Sequence, residues 1–203
     1  GSTIAQTLNN PSNSAIGTVE YIVTPTSTAT PACPGPAYTI TVTVNPTPVV
    51  TTSNTATICN GTATNIALTA SAASTFTWTV GTITGGITGA SAGSGSTIAQ
   101  TLNNPSNSAI GTVEYIVTPT STATPACPGP AYTITVTVNP TPVVTTANTA
   151  TICNGTATNI SLTASAPSTF TWTVGTITGS ITGASAGSGS TIAQTLTNPS
   201  NTT

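Results

Sequence analysis

The sequence contains no lysine, arginine or histidine, and its only acidic side chains are Glu20 and Glu114. Nucleic-acid binding depends on cationic side chains that displace counterions from phosphate, so their absence excludes a nucleic-acid-binding protein. Recruitment to an anionic membrane by basic residues is excluded for the same reason. No apolar run approaches the ~20 residues that a helix needs to span a bilayer, so we expect no membrane insertion by this segment.

The same shortages remove the side chains on which catalysis usually depends. A serine or cysteine nucleophile needs a neighbouring base, and the chain has no histidine, lysine or aspartate to act as one. Glycoside hydrolysis normally uses two carboxylates a few ångströms apart, but here each repeat carries a single glutamate. Calcium needs several carboxylates in one shell, and zinc needs clustered cysteine and histidine ligands. We therefore expect no enzyme, no cofactor and no metal site.

What the chain does have is a near-identical internal repeat with an offset of 94 residues, because residues 1–94 return as residues 95–188 with four differences. A third copy begins at Gly189. A unit of this length is the size of one small domain, whereas solenoid repeats have periods of about 20–50 residues. The repeat therefore predicts separate domains arranged like beads on a string. The differing pairs are Ser53/Ala147, Ala67/Ser161, Ala73/Pro167 and Gly86/Ser180.

Within each unit, short segments alternate apolar and polar residues with a period of two, which is typical of half-buried β-strands. Threonine fills most outward positions, where its β-branched side chain suits the strand backbone and its hydroxyl faces water. Turn sequences such as CNGT and CPGP separate the segments, and about seven strands per unit predict an all-β, immunoglobulin-like β-sandwich. In the middle unit five segments are predicted to be strands, 64–70, 75–80, 96–102, 112–117 and 131–138, and the signal is weaker for 96–102.

The alternation also predicts which side chains form the core of the sandwich. Trp78 takes the role of the central aromatic residue, and the inward-facing positions of the other strands surround it. The outward position of Glu114 predicts a solvated side chain. The predicted core residues are Trp78, Ile66, Leu68, Tyr115, Ile134 and Val136.

The sequence VNPTPVV, at Val44–Val50 and again at Val138–Val144, is predicted to link consecutive units. X-Pro bonds favour extended backbone, so this segment is expected to be a short, semi-rigid linker. Residues 1–45 then form the C-terminal half of one repeat, residues 46–139 a complete repeat, and residues 140–203 the N-terminal part of the next. We call these the first unit, the complete repeat and the third unit.

The order of motifs resembles a known family. TICNG, TFTWTV, GTVEYIV and CPGPAYTITVTVNPTP follow one another as in the PKD-like and Ig-like tandem repeats of giant surface adhesins of gliding Bacteroidetes, the SprB type. The resemblance covers the whole chain in a circularly shifted register, although the Asp-rich turns of common PKD domains are missing. It implies secretion to the cell surface and a part in adhesion or gliding motility.

Each repeat carries two cysteines, and an even count without histidine or a Cys-x-x-Cys motif favours disulfides in an exported protein. Two arrangements are open. Cys59 and Cys127 would form a bridge within the complete repeat, leaving Cys33 and Cys153 without partners in this segment. The alternative pairs Cys33 with Cys59 and Cys127 with Cys153, across the linkers. The first arrangement is favoured, because the second requires the chain to double back.

Together these features predict a structural stalk or spacer, a filament of extracellular repeats in a very long cell-surface adhesin. Its partners would be the neighbouring repeats of the same chain and, at most, an external surface or polysaccharide. The alternative function is a weak binding module, in which every repeat presents the same site for a glycan or surface and avidity supplies the affinity.

Overall fold

The computed structural model describes residues 3–200, all of which are strand, turn or irregular structure. The ends of the predicted first and third units, residues 1–2 and 201–203, lie outside the described residues. A search of the described range for a helix long and apolar enough to cross a membrane finds none.

The described residues contain thirteen strands, and the seven of the complete repeat match the number that the turn spacing predicts. The strands are β1 (Gly17–Val23), β2 (Tyr38–Val44), β3 (Thr55–Cys59), β4 (Ile66–Ala67), β5 (Ser74–Thr84), β6 (Gly93–Ser94), β7 (Thr97–Ile98), β8 (Gly111–Ser121), β9 (Tyr132–Asn139), β10 (Ile160–Ser161), β11 (Thr171–Trp172), β12 (Gly187–Ser188) and β13 (Thr191–Ile192).

Residues 46–139 form a β-sandwich of two layers. One layer is a five-stranded sheet in the order β3-β9-β8-β5-β6. Its neighbouring strands are antiparallel except for β3 and β9, which are parallel. The second layer contains the β4–β7 pair and three isolated bridges, Val50–Ala70, Ala63–Thr101 and Thr88–Asn103.

Strand β8 lies at the centre of the large sheet, with β5 on one side and β9 on the other. Its residues alternate between buried and half-buried along the whole strand. Val113, Tyr115 and Val117 are fully buried between the two layers. Since successive side chains of a strand point to opposite faces, the alternation read from the sequence corresponds directly to burial.

The core contains every residue that the alternation predicts for it. Trp78 is 6% exposed, and Tyr115, Ile134 and Val136 are fully buried. Trp78 thus packs inside the sandwich and not on a binding surface. The other core members are Val50, Ile66, Leu68, Phe76, Ile87, Ile98, Leu102, Val113, Val117 and Val138.

Gln100, which sequence reasoning missed, ties the polar atoms of the two core aromatics together. The Tyr115 hydroxyl donates to Gln100 Oε1 at 2.8 Å, and Trp78 Nε1 donates to the Ser91 carbonyl at 3.2 Å. Gln100 Nε2 donates to the same carbonyl at 2.7 Å, and its Oε1 also accepts the Ser91 N–H at 2.8 Å. Among the described residues every buried side-chain nitrogen or oxygen has a hydrogen-bond partner. The free-energy cost of burying an unsatisfied donor or acceptor is therefore avoided.

The two glutamates differ in environment. Glu20 is exposed, whereas Glu114 is half-buried. Its Oε2 accepts the Thr82 N–H at 3.2 Å, where β5 carries an irregularity between Val80 and Ile83. A bulge removes backbone groups from the ladder, so Glu114 supplies a substitute acceptor. Glu114 thus lies on the outward face of β8, as the alternation predicts, and is partly covered through its contact with β5.

The flanking units show what β8 contributes. In the first unit, β1 and β2 are the counterparts of β8 and β9, and they pair only with each other. In the third unit the counterpart of β5 shrinks from eleven residues to two, in β11, and residues 149–153, the counterpart of β3, form no strand. Because the sequences are nearly identical, long strands form only where the partner strand lies beside them.

Tyr115 provides a test of the buried network through pH. Burial raises the pKa of Tyr115 from 10.0 to about 12. The unfolded chain therefore loses this proton first, so the free energy of unfolding is unaffected below about pH 10 and falls as the pH rises from about 10 to about 12. The loss is at most roughly 2–3 kcal/mol. Urea unfolding of the wild type and of Tyr115→Phe at a series of pH values measures this fall in the free energy of unfolding. Equal falls in the two proteins would contradict the prediction.

Candidate functional site at the junction between repeats

The complete repeat has two different ends, and each faces a neighbouring unit. Strand β9 runs from one end to the other, roughly 23 Å along Tyr132–Asn139 at ~3.3 Å per residue. The end at which the linker from the first unit arrives is called the N-terminal pole, and the end at which the chain leaves the repeat is called the C-terminal pole. The N-terminal pole comprises residues 46–50, 70–74 and 119–129, and the C-terminal pole residues 59–61, 103–109 and 138–141.

The proline-rich linker is packed into the N-terminal pole. Pro46 and Pro48 are both buried. A Cβ placed on Gly129 would lie 1.9 Å from the Pro48 carbonyl oxygen and 2.8 Å from Pro119 Cγ, so only glycine fits between them. The segment predicted as a short, semi-rigid linker is thus fixed by contact with the CPGP turn of the following repeat.

Ser71 joins this linker to the preceding unit. Its Oγ accepts the Val49 N–H at 3.0 Å, and its own N–H donates to the Val49 carbonyl at 2.9 Å. The same hydroxyl donates to the carbonyl of Asn13, which lies in the NNPSN turn of the first unit. One serine therefore holds the linker and the neighbouring unit together.

The next junction repeats this arrangement. Ser165 Oγ accepts the Val143 N–H at 3.0 Å and donates to the carbonyl of Asn107. Both residues lie 94 positions after their counterparts Ser71 and Asn13. The contact between consecutive units is therefore a feature of the repeat.

An asparagine position extends the contact to the turn that carries a cysteine. Asn45 Nδ2 donates to the Pro125 carbonyl at 3.0 Å across the junction. Its counterpart Asn139 lies beside Cys59 in the β3–β9 register, and its carbonyl accepts the Asn60 N–H at 3.0 Å. This position thus contacts the C-terminal pole of its own repeat and the N-terminal pole of the next.

The structure does not bring Cys59 and Cys127 together, and all four cysteines are free. Cys59 pairs with Asn139 at the end of β9, whereas Cys127 precedes the start of β9 at Tyr132. The two cysteines therefore lie at opposite poles, while a disulfide requires Cα atoms within about 7 Å. The expected bridge within the repeat is wrong, because the parallel pairing of β3 with β9 carries Cys59 to the far end.

The alternative arrangement is also not formed. Cys33 precedes the start of β2 in the first unit, whereas Cys59 lies at the C-terminal pole of the complete repeat. More than one sheet length therefore separates the two cysteines. Cys127 and Cys153 are the counterparts of this pair one repeat later. Cys33, Cys59 and Cys153 are exposed, and Cys127 is half-buried.

A comparison with known families bears on these repeats. A family model described as a PKD-like domain matches residues 1–48 and 56–142, well over half of the chain. The search of curated proteins gives no match.

The close approach at Gly129 yields a test of the junction. Gly129→Ala forces the Pro48 carbonyl to move, so we expect the complete repeat to lose about 1–3 kcal/mol or more of stability, measured by calorimetry. The matched control is Gly35→Ala, whose Cβ would lie 3.0 Å from a proline ring, with no linker above it. The Gly35→Ala substitution should lower the melting temperature much less than Gly129→Ala. Similar melting shifts in the two variants would contradict a packed linker.

Proposed function

Because the chain belongs to the PKD-like domain family, we propose that it is a stalk segment of a long extracellular adhesin of the SprB type, which takes part in surface adhesion or gliding motility. In this role the repeats are spacers, their partners are the neighbouring repeats, and no catalysis is involved. The motif order of the sequence supports the adhesin assignment. The fold and the junction support the spacer role.

The recurrence of the junction favours a regular array over loosely tethered domains. Ser71 and Ser165 make the same bonds to the linker and to the preceding unit. Inter-domain motion is the usual expectation unless an interface restrains it, and here Pro46 and Pro48 of the first linker are buried. Each added repeat is expected to extend the stalk by roughly 35–45 Å, from its strand length and its linker.

The observation that carries the proposal is the parallel pairing of the first strand of the repeat, β3, with the last, β9, in five register pairs. The chain enters at the N-terminal pole and leaves at the C-terminal pole. Tension on the stalk therefore pulls β3 and β9 in opposite directions along their length. All the hydrogen bonds between them are loaded together, which resists extension better than opening them one at a time.

Proline substitution tests this arrangement. Two hydrogen bonds define the ladder between β3 and β9: Thr135 N–H donates to Asn54 O, and Asn60 N–H donates to Asn139 O. In a parallel pair alternate residues point to the partner strand, so the Ala56 N–H points to β9. Ala56→Pro removes that bond, worth about 1 kcal/mol, and disturbs the strand further. We expect a lower unfolding force for the complete repeat when single molecules are pulled by their ends.

The matched control uses the repeat itself. Ala150 is the counterpart of Ala56, but it lies in residues 149–153, which form no strand in the third unit. Ala150→Pro should leave the unfolding force of the complete repeat unchanged. An unfolding force that is insensitive to Ala56→Pro would contradict a mechanical role for the β3–β9 pair.

One observation favours the alternative, a repeated weak binding module. A shallow groove of about 350 Å³ is lined by residues 68–74 and Phe76, and a groove of about 340 Å³ recurs at the counterpart residues 162–168 and Phe170. Two equal grooves on one chain are the geometry that avidity requires.

A binding assay separates the two functions. The chain is passed over immobilised cellulose and agarose, together with a variant that fills both grooves, Ala72→Trp with Ala166→Trp. The stalk proposal expects no retention of either protein. Retention of the wild type that the double variant loses would support the binding module and oppose a pure spacer.

A further inference from the structure

The cysteine of the CPGP turn is held in the same way in two successive units. The Cys127 N–H donates to Ser121 Oγ at 2.9 Å, and the Cys127 thiol donates to the Pro125 carbonyl at 3.8 Å. In the first unit the counterpart Cys33 makes the same two contacts, at 2.9 and 3.7 Å. The turn therefore fixes this thiol at the N-terminal pole of each repeat.

The other cysteine position lies beside an asparagine at the C-terminal pole. Cys59 is the register partner of Asn139 at the end of the β3–β9 pair. Register partners on neighbouring strands point to the same face of a sheet. For this pair it is the outward face, because the preceding residues Ile58 and Val138 pack into the core. The side chains of Cys59 and Asn139 are therefore neighbours, and Cys59 is exposed.

The junction brings this asparagine position to the cysteine of the next repeat. Asn45, the counterpart of Asn139 in the first unit, donates through Nδ2 to the Pro125 carbonyl at 3.0 Å. The thiol of Cys127 lies against the same carbonyl oxygen. One oxygen thus contacts the asparagine of one unit and the thiol of the next. Because the position of Cys59 lies beside that asparagine, the two kinds of cysteine meet at the junction.

We propose that consecutive repeats of the array are joined by a disulfide between the Cys59 position of one repeat and the Cys127 position of the repeat that follows it. This inference rests on the array described under the proposed function. Cys59 pairs with the counterpart of Cys127 in the following repeat, and Cys127 with the counterpart of Cys59 in the preceding one. Neither counterpart falls within residues 1–203. The pairing therefore differs from both arrangements that the structure rules out.

The bond forms by oxidation of the two thiols with a small disulfide such as oxidised glutathione. The thiolate of one cysteine attacks this disulfide and releases one glutathione thiol, and the second cysteine then displaces the other. The protein thiols give up two electrons and two protons, which appear in the two glutathione thiols. An extracellular stalk meets the oxidising conditions under which such a bond persists.

Bridges in this pairing create a short covalent route along the array. From Cys33 at the N-terminal pole of the first unit, 26 residues lead through β2, the linker and β3 to Cys59 at the C-terminal pole of the complete repeat. The bridge from Cys59 enters the following repeat at its CPGP turn, where the same route begins again. Each such stretch therefore covers two repeats.

The length of this route limits how far the array can be stretched. Fully extended, 26 residues span at most about 90 Å. The two folded repeats that they cover are roughly 70–90 Å long, from their strand lengths and linkers. An array with every bridge formed can therefore hardly lengthen under tension, even if its sandwiches open. Without bridges, one opened repeat of 94 residues reaches about 300 Å.

A longer chain tests the pairing. Extending this chain at its C-terminus by a further 94 residues of the repeat supplies one proposed pair and raises the number of cysteines from four to six. After treatment with oxidised glutathione we expect one bridge and four free thiols, counted by alkylation and intact mass, which also reveals glutathione adducts. Residues 1–203 alone are the control, and they should keep four free thiols and form no bridge.

The single glutamate of each repeat allows the bridge to be located. Cleavage after glutamate in the unfolded, unreduced longer chain gives one fragment with Cys33 and Cys59, one with Cys127 and Cys153, and one with the two added cysteines. The first and last of these fragments should be joined. A bridge within the repeat would join consecutive fragments, and a bridge across the linker would join none.

Two serine substitutions in the longer chain complete the test. Cys59→Ser should abolish the bridge. The matched Cys153→Ser should leave it intact, because the partner of Cys153 would lie in yet another repeat. Six free thiols, a bridge between any other fragments, or loss of the bridge in Cys153→Ser would each overturn the proposal. These measurements do not depend on adhesion or tension, so the disulfide can fail while the stalk function holds, and the reverse.

Discussion

The packing of β8 between β5 and β9 is the interaction on which the rest of the structure depends. Where β8 is present, the sequence STFTWTVGTIT is an eleven-residue strand, and where it is not, the identical sequence at residues 168–178 contains a strand of only two residues. The same comparison applies to the counterpart of β3, which forms no strand without β9 beside it. Strand propensity alone does not form these elements; cross-strand pairing and a shared core do.

Without lysine, arginine or histidine, the chain relies on hydrogen bonds for the contacts that ion pairs make in many proteins. Gln100 connects Tyr115 with the backbone at Ser91, and Ser71 joins the linker to the preceding unit. Glu114, the one carboxylate of the complete repeat, accepts a backbone N–H at a bulge. These contacts are short-ranged and directional, so they hold a geometry while contributing little long-range electrostatic energy.

The junction between units and the strand order of the complete repeat are both compatible with the proposed stalk. Pro46 and Pro48 of the first linker are buried in the complete repeat, and the bonds of Ser71 recur at Ser165. The first and last strands of the repeat are parallel neighbours whose outer ends lie at opposite poles. If the chain serves as the proposed stalk, tension would pass through the junction at Ser71 and through the β3–β9 pair, which would be loaded in shear.

The sequence by itself determined the repeat length, because residues 1–94 recur almost unchanged. It also determined the all-β class and the predicted core residues, because period-two alternation is a local pattern that burial follows. It missed β3, whose residues TATIC carry little apolar signal and owe their strand to a distant parallel partner. It likewise missed the role of Gln100 and the burial of Pro46 and Pro48, and it misplaced Cys59 relative to Cys127. These features depend on which segments lie side by side, and pairing between residues tens of positions apart is decided only when the two layers close on one core.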